Sequence, residues 1–527
     1  MSNPATNEMT PVGDVTLRSR MDRRARDDPR HPFLIFEDRT YTFGEIDAAA
    51  NRLANSLLAQ GLAPGDRVAL MLPSHPDHVV AILALAKVGL VRVSVNVSLI
   101  GAALDHFFEQ FEPRALLIDA DYAQTIAPVL TRKKTEKIIW RGKAAGDNFA
   151  ALLAHGDNRP PAVAPAADDI IALTPSSGTT GPPTGVLKSD RTLRAGPMGT
   201  LRLTGAQPGD VFFLWESLHH GAGVAVLIAA ILEKITLAMV DRFSASQFWN
   251  SVRRCKATHI HYLGGVLPML LKQPPRADDR EHAVRIAWGG GCPLETWNAF
   301  ADRFGVQMRE GYGLSEMITF VTINIGGPSG SIGKALSYFE VKLVDDAGKT
   351  VEIGEPGELL VRAREPGLHF LGYFRNEEAT RDAMAGEWFR TGDLVKSDAD
   401  GWLYYAGRRT DSVRRRGINI SAWEVERVVN DHPVIEECAL VGVPGELGDD
   451  ELKLIVRLVP GKKLDPAEFL HWCAPRLPHF QIPRYLETIA EFPKTPTQRI
   501  RKNQLARSAE NAIDLSAVAA PAIKHHR

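Results

Sequence analysis

Short apolar or β-branched runs alternate with helical patterns along most of this chain, and that alternation leaves few architectures open. Strands that each need a crossover helix before the next one pair in parallel, and a parallel sheet must be covered on both faces. Over residues 45–60 the apolar Ile46, Ala49, Leu53 and Leu57 fall at helical spacing, and Gly61 stops the helix. A strand is expected over 67–72, ended by Pro73, followed by a helix over 77–87 and an extended segment over 91–95. Further strands are expected at 115–118, 170–174, 211–214, 285–288 and 359–361. The fold class is α/β. At 527 residues the chain also exceeds what one core can fill. A boundary belongs near 407–411, a polar, Gly-led segment. Beyond it the pattern predicts a helix at 423–429, strands at 438–443 and 452–458, and a helix at 466–473. The expected division is a mobile tail 1–30, a large domain 31–406, a hinge 407–411, a small domain 412–503 and a second mobile tail 504–527.

Charge and composition remove several classes of function. Lys and Arg number 62 against 63 Asp and Glu, a net charge of -1, so no global basic field calls for nucleic acid or an anionic membrane. The cysteines Cys255, Cys292, Cys438 and Cys473 are scattered without CxxC spacing, which reads as reduced thiols in a cytoplasmic protein. The first thirty residues are polar and Arg-rich with no apolar core of a secretory signal. The longest apolar stretch, Gly221–Leu232, meets Glu233 and Lys234 too soon to span a bilayer.

Three segments carry chemistry. Residues 170–188, IIALTPSSGTTGPPTGVLK, run from an apolar strand into a loop of Ser176, Ser177, Gly178, Thr179, Thr180 and Gly181. Small residues let successive backbone N–H groups converge on one point, and the hydroxyls add donors, which suits a phosphate chain. No GxxxxGK[ST] occurs, so this is not a Walker loop. Residues 309–316, REGYGLSE, place Tyr312 between glycines and end on Glu316: the ring can stack on a purine, and the carboxylate is a hard-oxygen ligand suited to Mg2+. Upstream, Gly289, Gly290 and Gly291 permit close backbone approach to a flat ligand. Residues 388–394, WFRTGDL, hold Asp393, which could accept hydrogen bonds from two vicinal hydroxyls.

In this order and spacing the three segments resemble the core motifs of the adenylate-forming superfamily of acyl-CoA synthetases, nonribosomal adenylation domains and luciferases. The resemblance extends from about residue 41 to 502, through TYTFGEIDAAANRLANSL, GEPGELLVR, GYFRNEEAT and GRRTDSVRRRGINISAWEVE. The texture of 242–275 and of RRRGINISAWEVE is similar to the crotonobetaine/carnitine-CoA ligase branch. The resemblance implies a large N-terminal adenylate-forming domain of parallel-rich sheets and helices and a small mobile α+β C-terminal domain. It implies a ligase that converts a carboxylic acid and MgATP into acyl-AMP and pyrophosphate, then passes the acyl group to the thiol of coenzyme A. By motif position Ser176 to Gly181 hold the β- and γ-phosphates, and Thr179 and Glu316 hold Mg2+. Gly290, Gly291, Cys292 and the run Glu310, Gly311, Tyr312, Gly313, Leu314 and Ser315 frame the nucleotide, while Asp393 and Arg408 take the ribose. Asp411 matches the hinge, and Arg414, Arg416, Gly417 and Asn419 line the coenzyme A side.

Two departures stand out. The phosphate loop continues Pro183, Thr184, Gly185 where the superfamily has P-K-G, although Lys188 follows. The C-terminal motif, roughly PKTxxGK, is Pro493, Lys494, Thr495, Pro496, Thr497, Gln498, Arg499, so the catalytic lysine aligns with Arg499. A guanidinium keeps the charge but not the geometry of an ammonium, and Lys494 and Lys502 are neighbouring candidates. His219 matches a residue that gates the carboxylate site, among Trp215, Glu216, Leu218 and His220, with Tyr262, Gly264, Gly265, Met317 and Ile318 as further lining. Trp215 and Glu216 would begin a cage for a quaternary ammonium, and the same segment could accommodate an aromatic or alicyclic acid. Three functions stay open: a CoA ligase, an enzyme passing its acyl-adenylate to a carrier protein or other acceptor, and a nucleotide-binding protein without activity, supported by Thr184 and Arg499. A homodimer is also left open.

Overall fold

The computed structural model describes residues 13–133, 135–143, 147–175, 184–263, 265–292, 294–317, 319–365, 367–415, 418–444, 450–494 and 499–518. They form two compact units, a larger one from the described residues up to 175, 184–341 and 361–389, and a smaller one from 342–360 and 390–518.

Among the described residues the larger unit holds a seven-stranded and a nine-stranded sheet, and it shares a five-stranded one with the smaller unit's segments of the chain. In the seven-stranded sheet, Arg67–Met71 pairs in parallel with both Val91–Ser94 and Ala115–Asp119, and Val91–Ser94 pairs in parallel with Ile170–Pro175. In the nine-stranded sheet, His259–Leu263, Ile286–Gly290 and Gln307–Gly313 lie parallel and adjacent. The helices between strands form where the apolar spacing put them. Phe43–Ala59 opens with a capping box: the Thr42 hydroxyl accepts from the Glu45 N–H, and the Glu45 carboxylate accepts from the Thr42 N–H. Pro76–Val88 starts with proline in its first turn and ends on Gly89 at φ 69°, a left-handed cap. Leu53 and Leu57 of the first helix, Leu83 and Leu85 of the second, and Leu227 of Gly221–Leu232 meet sheet residues Leu70 and Leu214 in one buried cluster.

The smaller unit has its own core, in which Val425 and Val429 of Ala422–Val429 and Phe469 and Cys473 of Pro466–Cys473 pack on Leu440, Leu454 and Val456. Its main sheet pairs Ile435–Pro444 with Asp450–Leu458 antiparallel, and the latter with Tyr485–Thr488 in parallel. All of the strands and helices expected here and in the larger unit are present within a few residues of their expected bounds.

The stretch expected as a mobile N-terminal tail contains a helix, Leu17–Asp27. Leu17 and Met21 are buried, and the Arg18 guanidinium, far from being solvated, donates to the carbonyls of Lys87, Pro161 and Val163. Arginine-rich composition conceals this because Arg18 and Arg24 are buried on tertiary carbonyls while Arg20, Arg23 and Arg26 are exposed. At the other end Ile513–Asp514 adds a strand to the sheet of the smaller unit and Leu515 is buried. The division of the chain also falls before residue 407. Trp388–Ser397 and Leu403–Arg408 form one antiparallel hairpin with Asp393 opposite Arg408, so a boundary at 407 would cut a ladder of backbone hydrogen bonds.

Candidate active site

Each unit carries a group of the expected site residues. In the larger unit the loop after Ile286–Gly290 is held by Glu310, whose Oε1 accepts from the N–H groups of Gly291 at 2.5 Å and Cys292 at 3.1 Å. The Tyr262 hydroxyl donates to Glu310 Oε2 at 2.5 Å. Burial raises the Glu310 carboxyl to about 7, with those three donors opposing the shift. Its oxygens are thus engaged by the scaffold. The loop needs glycine for two reasons: a Cβ at Gly289 would lie 1.9 Å from the Tyr262 carbonyl oxygen, and Gly291 has φ 82°. Gly290, Gly291 and Cys292 therefore form a rigid backbone shelf at the C-terminal end of a parallel strand, where ligands of open α/β sheets bind. Gly311, Tyr312 and Gly313 belong to the neighbouring strand, with Tyr312 nearly buried, and Leu314 and Ser315 follow in the turn.

Glu316 accepts a hydrogen bond from the Tyr373 hydroxyl at 2.9 Å. Lys188 donates its ammonium to the carbonyl of Ser315. Burial lowers the Lys188 ammonium to about 7, while attraction to Glu316 opposes this and Arg92 adds to it. Ser176, Ser177, Gly178, Thr179, Thr180 and Gly181 lie outside the described residues. The strands that flank their loop, Ile170–Pro175 and Gly185–Ser189, are paired antiparallel with Pro175 opposite Gly185, so both ends of the loop are pinned together. Among the described residues no group of three or more His, Cys, Asp and Glu gathers as a metal cage. A single carboxylate such as Glu316 fits Mg2+, which is commonly held by one or two carboxylates together with substrate phosphates and water.

On the acid side, His219 Nδ1 lies 2.6 Å from the Ser217 hydroxyl, and burial lowers its imidazole to about 4, with His220 acting in the same direction; it is neutral at physiological pH. His220 caps the following helix, its ring nitrogen accepting from the Ala222 N–H. The Trp215 indole N–H donates to the His261 carbonyl at 2.8 Å, and Glu216 is buried directly against the His261 ring. Burial depresses the His261 imidazole to about 3. Tyr262, used by Glu310, and Met317 are buried, whereas Gly264 and Ile318 lie outside the described residues.

In the smaller unit Asp393 and Arg408 come together as expected: Arg408 Nε donates to Asp393 Oδ1 at 2.9 Å, and the Tyr405 hydroxyl donates to the same oxygen at 3.4 Å. Burial pushes the Tyr405 phenol up, as does Asp393, while Arg408 and Arg499 act against this. Arg499 is exposed and acts electrostatically on the same cluster. The two neighbouring lysines are occupied otherwise. Lys494 pairs with Glu437 at 2.8 Å, and Lys502, largely buried, pairs with Glu426 at 2.8 Å and Asp411 at 3.5 Å. Asp411 sits in a single 3-10 turn, Arg409–Asp411. Arg414 stands opposite Asn419 in the pairing of Ser412–Arg415 with Ile418–Ser421, and Arg416 and Gly417 lie outside the described residues. Tyr373 and Arg92 were not singled out by sequence reasoning. Tyr373 lies in the motif stretch GYFRNEEAT, whereas nothing local distinguishes Arg92.

The fold of a larger and a smaller α/β unit is that of the adenylate-forming class of enzymes. The AMP-binding enzyme family model matches residues 21–374, and the AMP-binding enzyme C-terminal domain model matches residues 424–499. The chain belongs to the AMP-binding enzyme family. It is 28% identical over 481 residues to a crotonobetaine/carnitine–CoA ligase of Escherichia coli O7:K1, covering 88% of this chain and 92% of that one. It is 29% identical over 539 residues to long-chain fatty acid transport protein 6 of Mus musculus, covering 95% and 86%. An anthranilate CoA ligase solved with anthranoyl-AMP superposes with a TM-score of 0.85 at 25% identity, covering 94% of this chain and 97% of that one. An o-succinylbenzoate CoA synthetase from Bacillus subtilis, solved with its acyl-adenylate, gives 0.82 at 25% identity, covering 93% and 99%. Among the described residues no helix is long and apolar enough to cross a membrane.

Proposed function

We propose that this protein is an ATP-dependent, AMP-forming carboxylic acid–CoA ligase acting in the cytoplasm. The observation that carries the reading is the convergence of Glu316, Tyr373 and Lys188 at the strand Gly185–Ser189, which follows the Ser/Thr/Gly segment in the sequence: an acidic group for a divalent cation and a cation for phosphate. A carboxylate oxygen attacks the α-phosphorus of ATP, the bond to the β-phosphate oxygen breaks, and pyrophosphate leaves. The coenzyme A thiol then loses its proton and attacks the acyl carbon, and AMP departs with the electron pair. Both steps gather negative charge, and fixed cations and N–H donors are what lower such barriers. Mg2+ bound with ATP would be held by Glu316, with Thr179 of the loop, and would neutralise phosphate charge. Tyr373 fixes the Glu316 carboxylate, the shelf at Gly290 to Cys292 and Tyr312 receive adenine, and Asp393 with Arg408 receives the ribose hydroxyls. Arg499 supplies positive charge to the adenylation step, and the segment of Arg414, Arg416, Gly417 and Asn419 serves coenzyme A. His219, neutral and desolvated, borders the acid without adding charge.

The test is pyrophosphate release from the purified protein with MgATP and a panel of short, branched, aromatic, alicyclic and betaine-type acids, with and without coenzyme A. A CoA-dependent thioester is the expected product. Acyl-AMP without thioester would move the reading to another acceptor, and ATP binding with no acid-dependent release across the panel would sink the ligase.

A further inference from the structure

Two buried cations stand side by side in the seven-stranded sheet. Arg92 is opposite Ala172, and Ala172 is opposite Lys188. Residues in register point to the same face, so the two long cationic side chains flank a single methyl group. Two inter-strand steps separate their Cα atoms by about 10 Å. The neighbouring set Val93, Leu173 and Leu187, one position along, packs with Leu104, Phe107 and Ile126 on the other face. Arg92 and Lys188 are each only 4% exposed.

Neither cation is neutralised in the usual way. Among the other buried arginines, Arg194 has Asp190 at 2.6 Å and Arg18 has Asp22 at 2.6 Å, while Arg24 donates to the carbonyls of Ala230 and Ile231. Among the described residues no carboxylate pairs with Arg92; its Nη1 donates to the Ser94 hydroxyl at 3.0 Å, and the ionisable groups it acts on are Lys188 and His78. A guanidinium does not shed its proton, so burying it beside a second cation is costly unless an anion arrives. The Lys188 ammonium donates to the Ser315 carbonyl, next to Glu316, the carboxylate assigned to Mg2+. The loop between the two strands, Ser176 to Thr184, contains no Lys or Arg of its own.

We propose that Arg92 and Lys188 are the counter-charges for the polyphosphate end of ATP, supplied from the strands Val91–Ser94 and Gly185–Ser189 instead of from the loop. The proposal rests on the reading of the loop as the phosphate site. Its departing product, pyrophosphate, is the probe.

Binding of inorganic pyrophosphate with Mg2+ to the full chain is measured by titration calorimetry, which needs no acid substrate. Lys188→Met and Arg92→Met should each weaken binding about tenfold or more, as loss of a charge-assisted contact does. Arg92→Lys, which keeps the charge, should bind better than Arg92→Met. Adding Thr184→Lys to Lys188→Met should recover affinity by returning a cation to the loop, a rescue that repair of packing would not produce. Should Lys188→Met melt before binding can be read, the Arg92→Lys and Arg92→Met pair decides. Unchanged affinity in folded variants, or a rise in the KM of the acid with pyrophosphate binding intact, overturns the assignment. If the unaltered protein binds no pyrophosphate, the phosphate reading of the loop falls first and takes the proposal with it.

Discussion

Tyr373 donates its hydroxyl to Glu316 Oε1 at 2.9 Å across 57 residues of sequence. A carboxylate held by a neutral donor is fixed in direction, which is what a ligand for a hard cation requires. Glu316→Ala should therefore suppress pyrophosphate release by about a hundredfold or more, whereas Tyr373→Phe should cost about tenfold and raise the Mg2+ concentration needed for half-maximal rate. Near-normal adenylation in Glu316→Ala would refute the metal assignment.

Arg499 shares its surroundings with Tyr405, Asp393 and Arg408, while Lys494 and Lys502 are tied to carboxylates. Arg499→Ala should reduce adenylation by about two orders of magnitude, with much less effect on thioester formation from supplied acyl-AMP. Single-turnover assays of the two half-reactions read this directly, and equal losses in both would point to a damaged fold.

The pair Asp393 and Arg408 should govern nucleotide affinity. Asp393→Ala removes the acceptor for ribose hydroxyls and the 2.9 Å hydrogen bond from Arg408. An increase of about tenfold in the KM for ATP is expected, with the KM for the acid unchanged. The reverse pattern would remove Asp393 from the nucleotide site.

Glu310 makes stability depend on pH. Its carboxyl rises from 4.5 to about 7 on folding because it is buried. Below about pH 4.5 both states hold the proton; between about 4.5 and 7 only the folded state does, so this stabilising term is lost as pH rises through that window. Glu310→Gln should flatten the profile, the difference from the unaltered protein changing by at most about 3 kcal/mol between pH 5 and 7.5. Denaturant unfolding at those pH values checks this, and parallel profiles would reject it.

Removal of residues 1–30 should destabilise the larger unit. Leu17 and Met21 are about 1% and 0% exposed, and Arg18 satisfies three backbone carbonyls. Truncating either apolar side chain to Ala should cost about 2–5 kcal/mol, and the deletion should lower the melting temperature by more than either. An unchanged melting temperature would make the segment the dispensable tail that its composition suggests.

The sequence by itself determined the alternation of elements, because helical and strand periodicities are local properties of side chains that must face a core. Thus Phe43–Ala59, Pro76–Val88 and Val211–Leu214 were legible from spacing and caps, and the Gly-rich and acidic motifs were legible because their residue types are rare in such order. The pairing of Asp393 with Arg408 was anticipated only through family resemblance. Tertiary structure alone decided the rest. Glu310 is committed to backbone amides of a loop 18 and 19 residues earlier, Lys502 to Glu426 and Asp411, and Arg18 and Arg24 to distant carbonyls. Arg92 and Lys188 become neighbours only through the register of strands far apart in the chain. A charged side chain reads as solvent-facing in a sequence, and only the fold shows which partner, or which missing partner, permits its burial.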